Sequence, residues 1–107
     1  MFHLKRGNTS PSLRAILRDG AGAAVPLAGT TILFSMASQK GVPVITRRAA
    51  ARDDAVDVGA VVVHWLGSDT NIVGVFNAEF EVTYADGRIE TFPNDGYLMV
   101  KVSGRLA

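Results

Sequence analysis

Between Gly74 and Pro93 the chain reads Gly-Val-Phe-Asn-Ala-Glu-Phe-Glu-Val-Thr-Tyr-Ala-Asp-Gly-Arg-Ile-Glu-Thr-Phe-Pro. Phe76, Ala78, Phe80, Val82 and Tyr84 alternate with Asn77, Glu79, Glu81 and Thr83, the period-two pattern of a strand with one buried and one wet face. A helix would scatter these apolar residues around its circumference. Asp86-Gly87 supplies the two residue types that most readily take positive φ, so the chain is expected to reverse tightly there and return as Arg88–Phe92. Pro93, which cannot donate to a ladder, ends the return strand. This hairpin commits the chain to β structure and says little about chemistry.

The other segments agree. Phe2–Lys5 reads as a short edge strand closed by the breaker cluster Gly7-Asn8-Thr9-Ser10-Pro11. In 12–18, Leu13, Ala15 and Leu17 alternate with Ser12, Arg14, Ile16 and Arg18, and Ile16 on the polar side predicts that this face is partly covered. After turns at 19–22 and 26–29, residues 30–38 resume a strand with Ile32, Phe34 and Met36 on one side. Residues 41–52 read as a continuing solvent-facing strand, because the Arg47–Arg52 run has helix-favouring composition but no apolar stripe. A Val-rich strand at 59–66, a corner at 67–71 with one helical turn capped by Ser68 or Asp69, and a last strand at 97–102 complete the chain. Seven to eight short strands at intervals of roughly 8 to 12 residues predict an all-β, antiparallel sandwich. No segment reads as a crossover helix, which disfavours parallel pairing. Asp69 ahead of Gly74-Val75-Phe76 resembles the corner of immunoglobulin-like sandwiches, with Phe76 where a tyrosine hydroxyl would bond, and Trp65 is expected beside it as a core anchor. At 107 residues this is one domain, residues 1–107.

The net charge is +1, so no global field draws the chain to nucleic acid or an anionic membrane. The halves differ: +7 up to Arg52 and −6 from Asp53 onward. Segregated, these would let copies associate head to tail; interleaved strands would instead pair them within one molecule. There is no cysteine, which excludes disulfides and thiolate chemistry. Met-Phe-His-Leu-Lys-Arg-Gly has no long apolar run behind it and does not read as a signal peptide, and no apolar stretch approaches membrane-spanning length. Synthesis and assembly in a cytoplasm are the expectation.

The chemistry-bearing residues form no enzyme constellation. His3 and His64 are the only histidines, so a metal site would need both plus carboxylates; none is expected, nor any cofactor. Asp53, Asp54 and Asp57 lack the EF-hand spacing and its terminal Glu. Glu79, Glu81 and Glu90 could share a sheet face, but a shallow face gives no means of raising one carboxyl pKa. The serines form no nucleophile elbow, and the glycines match neither phosphate-loop nor dinucleotide spacing. Arg47, Arg48 and Arg52 make a small basic patch without stacking aromatics, a weak case for nucleic acid.

Lys5 to Arg14, Asp19 to Gly22 with Val25 to Met36, and later Val61 to Trp65, Asp69-Thr70, Gly74 to Val82, Asp86-Gly87 and Thr91 to Tyr97 together resemble the N-terminal domain of tailed-phage baseplate upper proteins. The resemblance spans nearly the whole chain and rests on turn and core positions. It implies an immunoglobulin-like building block of a phage or prophage virion, a non-enzymatic adaptor at baseplate, tail or neck. It further implies docking to other virion proteins, homo-oligomerisation in a symmetric particle, and location in the virion. Capsid decoration, or carbohydrate binding for host attachment through Trp65 or Tyr97, are the alternatives. The expected interface is Phe2, His3, Leu4 and Lys5, as an edge segment exchanged with or added to a partner sheet, with Arg47, Arg48 and Arg52 as a basic patch.

Overall fold

A computed structural model describes residues 1–106. Nine strands form two layers: β1 (Phe2–Lys5), β2 (Leu13–Ile16), β3 (Thr31–Ser38), β4 (Pro43–Ala49), β5 (Ala51–Arg52), β6 (Ala60–Val63), β7 (Gly74–Thr83), β8 (Ile89–Phe92) and β9 (Leu98–Ser103), with one turn of 3-10 helix at Gly67–Thr70. The larger sheet runs β1-β9-β7-β3-β4, with β8 beside the second half of β7; the smaller runs β2-β6-β5. The expected all-β sandwich is therefore what forms, one strand richer than anticipated.

β7 is the spine. Its first half pairs with β9 and its second with β8 on one side, and β3 lies along its other side. Phe76, Ala78, Phe80 and Val82 point inward and are buried, as the alternation dictates. Phe34 of β3 lies at the centre of the core, its ring 5.1 Å from Phe80 and 6.0 Å from Trp65. Trp65 is the anchor expected of it, 4% exposed, with its indole N–H donating to the Pro11 carbonyl at 3.1 Å.

Three local expectations are revised. The chain reverses after β7 through a turn in which Gly87 N–H bonds Tyr84 O and Tyr84 N–H bonds Arg88 O; Gly87 takes φ +89 and Asp86 stays at negative φ, so one positive φ suffices. Residues 43–52 are not one strand: β4 belongs to the larger sheet, β5 to the smaller, and Ala50 N–H bonds Ile32 O at the crossing. The pairing of β1 with β9 is parallel. Almost the whole chain separates the two strands, so no crossover helix is needed to bring them side by side.

Candidate functional site

Of the expected interface residues, Phe2, Leu4, Arg47, Arg48 and Arg52 make contacts within the chain. In β1, Phe2 and Leu4 face the core: Leu4 is buried, and the Phe2 ring stands edge-on to Trp65 at 6.0 Å. His3 and Lys5 face outward. Arg47 pairs with Glu81 at 3.0 Å and Arg52 with Asp54 at 3.2 Å. Arg48 makes a two-pronged bond to Asp69, at 2.6 and 2.8 Å. Asp69 is 4% exposed and also accepts the Leu66 amide at 2.6 Å, which closes the 3-10 turn. Its cap is therefore on Leu66, reached backward from Asp69, rather than on Ser68 or Asp69 themselves. Burial pushes the Asp69 carboxyl up, but the Arg48 guanidinium and the Leu66 amide outweigh it and leave the pKa below the ordinary value. Arg14 meets Asp53 and Asp57, both at 2.7 Å. The two charge halves thus interleave and pair within one molecule.

The remaining candidates do not converge. His64 is exposed with Nδ1 2.8 Å from Ser12 Oγ, while His3 lies on β1. Glu79 and Glu81 share the outer face of β7, but Glu90 sits opposite Val82 and accepts the Tyr84 hydroxyl at 2.6 Å. Among the described residues, no group of three or more His, Cys, Asp or Glu side chains could hold a metal ion. No helix among them is long and apolar enough to cross a membrane.

Two hollows remain. One, of about 310 Å³, lies on the outer face of the larger sheet beside the edge strand β4 and includes Ser35, Thr46, Asn77, Glu79 and Tyr97. β4 is irregular there: Phe34 faces Arg48 but Met36 faces Ile45 and Ala37 faces Pro43, so β4 carries extra residues at two places. Arg47 takes φ +52 and its amide donates to Ser35 Oγ at 3.0 Å. The detour aims its guanidinium at Glu81 and leaves Glu79, among the described residues, without an ion-pair partner.

The other hollow, of about 300 Å³, opens into the sandwich between the two sheets. One lip is the end of β2, from Ala15 to Arg18; the other is Pro93, Tyr97 and Leu98, where β8 passes to β9. Its floor is Phe80 and Phe92, 1% and 2% exposed. Sequence forces this lip to be an edge. Asp19 turns the chain by accepting the amides of Ala21 and Ala23, and the returning segment docks on the β6 side, where Val25 N–H bonds Leu17 O and Leu17 N–H bonds Gly59 O, both at 2.9 Å. Gly59, at φ +81, allows that approach: a Cβ there would lie 2.9 Å from Leu17 O. Since main-chain groups alternate sides along an antiparallel ladder, those of Arg14 and Ile16 face away from β6, toward the open edge. Arg18 stands at the end of the lip, held by one bond to Gly22 O at 3.2 Å and, among the described residues, by no carboxylate.

Sequence reasoning missed this seam. Its apolar residues were legible as core, but that Phe80 and Phe92 lie beneath an unpaired edge depends on which strand β2 fails to meet.

No family model matches the chain, and no curated protein matches it. Among solved structures it is similar to CopC from Methylosinus trichosporium OB3b, with a TM-score of 0.53 and 20% identity over 99% of this chain and 86% of that one. The likeness is one of fold. It is to CopC and not to a virion component, and it corrects the expectation of a phage or prophage structural protein located in the virion. The adaptor, capsid-decoration and host-attachment roles fall with it. The physical reason is that the turn and core positions carrying the phage resemblance specify a sandwich, and sandwiches serve unrelated tasks. Trp65, offered as a glycan platform, is buried under Phe2 and Phe34.

Proposed function

We propose that this chain is a non-catalytic recognition module that binds a segment of a partner protein at the open seam between its two sheets. The observation that carries the reading is an apolar cleft floored by Phe80 and Phe92 directly beside the unpaired edge of β2. A concave apolar site with a few polar groups at its rim is where binding energy concentrates. The pairing of Arg47, Arg48 and Arg52 with carboxylates favours a polypeptide over nucleic acid, because these cations are already neutralised. No metal binding is carried across from CopC: the likeness is one of fold, and among the described residues no group of three or more His, Cys, Asp or Glu side chains could hold a metal ion.

The test is to pan a random dodecapeptide phage library against the chain and map the enriched peptides by NMR. Enrichment is expected, with shifts centred on Ala15–Arg18 and Phe92–Leu98. No enrichment, or shifts confined to the Glu79 face, overturns the reading. So does a concentration-dependent dimer lost with Arg18→Glu, which would put a second copy in the seam.

A further inference from the structure

The seam joins three features: main-chain groups of Arg14 and Ile16 facing outward, an apolar floor below them, and a guanidinium at the end of the lip. A helix spends its own main-chain groups internally and leaves such an edge unpaired, whereas an extended segment completes it. Resting on the recognition role proposed above, we infer that the partner segment is a β-strand that adds to β2 as the fourth strand of the smaller sheet. Alternate side chains of that strand are apolar and enter the cleft, and an Asp or Glu on its other face meets Arg18.

The alternation follows from the sheet. Leu13, Ala15 and Leu17 form the inner face of β2, and a strand added beside it continues that face over Phe80 and Phe92. Arg14, Ile16 and Arg18 form the other face, so the residue that meets Arg18 has the opposite parity to the apolar ones. Arg14 cannot compete for that acid, since Asp53 and Asp57 already hold it at 2.7 Å. Arg18 keeps most of its five donors open.

The other edges are poorer templates. β1 is as long and as regular, but the hollow beside it is lined mostly by polar residues, His3, Lys5, Asn8, Ser10 and Ser103. β4 carries two irregularities and Pro43, and β5 is two residues long. β8 ends at Pro93. β2 alone among them combines a regular, four-residue ladder with an apolar cleft beneath it.

The experiment uses the enriched dodecapeptides as probes. Hydrogen exchange of the Arg14 and Ile16 amides should slow by about tenfold or more on binding, and the peptides should alternate apolar residues with an acid at the opposite parity. Replacing that acid by alanine should weaken binding to the native chain about three- to tenfold and have no effect on Arg18→Met. Arg18→Glu, at an exposed position, should leave the amide spectrum away from the seam unchanged and select Lys or Arg in place of the acid. Peptides that shift the cleft signals but leave Arg14 and Ile16 exchange unchanged, or show no acid preference, overturn strand addition while the recognition role stands. Failure to enrich any peptide overturns the role itself.

Discussion

At the scale of single residues, the most consequential pair is Arg48 and Asp69. The carboxylate is almost wholly buried and its partner arginine side chain mostly covered, so removing one member strands the other. Arg48→Met is expected to cost about 3 kcal/mol in denaturant unfolding. Asp69 has a folded pKa below its ordinary 3.8. Its contribution is therefore present above that value and is lost as pH falls through the folded pKa. Without Arg48 only the Leu66 amide opposes the effect of burial on the carboxyl, so the acid limb of the stability curve should move to higher pH. Tyr84 behaves oppositely. Burial first, and then its bond to Glu90, raise its phenol to about 12. Its stabilising effect is complete below 10 and disappears as pH rises through about 12. Of the two tyrosines, ultraviolet titration should show one ionising late, and Glu90→Gln should bring that transition down. Sequence showed neither pair: Arg48 read as part of an open basic patch and Glu90 as a strand exterior, because the partner of each is set by contacts between separate turns or strands.

At the scale of elements, β1 is a test of what an edge strand does. Leu4 enters the core while His3, its neighbour, faces outward. Leu4→Ala should lower stability by about 2–3 kcal/mol, and His3→Ala by less than about 0.5 kcal/mol. Equal effects would show that β1 is not docked on β9. Gly59 is the second such point. Alanine there combines positive φ with a 2.9 Å approach to Leu17 O, and about 2 kcal/mol of destabilisation is expected. Gly20→Ala, with open space around it, serves as the control near zero. The hairpin of β7 and β8 and the inward residues of β3 were legible because alternation is a property of consecutive residues. The division of 43–52 between two sheets was not, since Ala50 looks like its neighbours and only its bond to Ile32 marks the crossing.

At the scale of the whole molecule, one core serves both sheets: Phe34 and Phe80 from the larger meet Val61 and Val63 from the smaller, with Trp65 at the edge of β6. Unfolding should be a single transition, with the red shift of Trp65 fluorescence coincident with the loss of far-ultraviolet circular dichroism. Separate midpoints would mean that the small sheet melts alone. The charge halves follow the same logic, since interleaved strands place Arg14, Arg47 and Arg48 beside acids from the other half and leave little net field.

The amino-acid sequence by itself determined the class of fold, the positions of most strands and the inward-facing residues, because backbone alternation, glycine and proline act over a few neighbours. It did not determine strand order, the parallel meeting of β1 and β9, or the ion pairs across the halves. Nor did it determine the open edge of β2. An edge exists only by virtue of what does not pair with it, and a cleft by virtue of what the other sheet leaves uncovered, so the surface proposed for recognition is a property of the assembled sandwich alone.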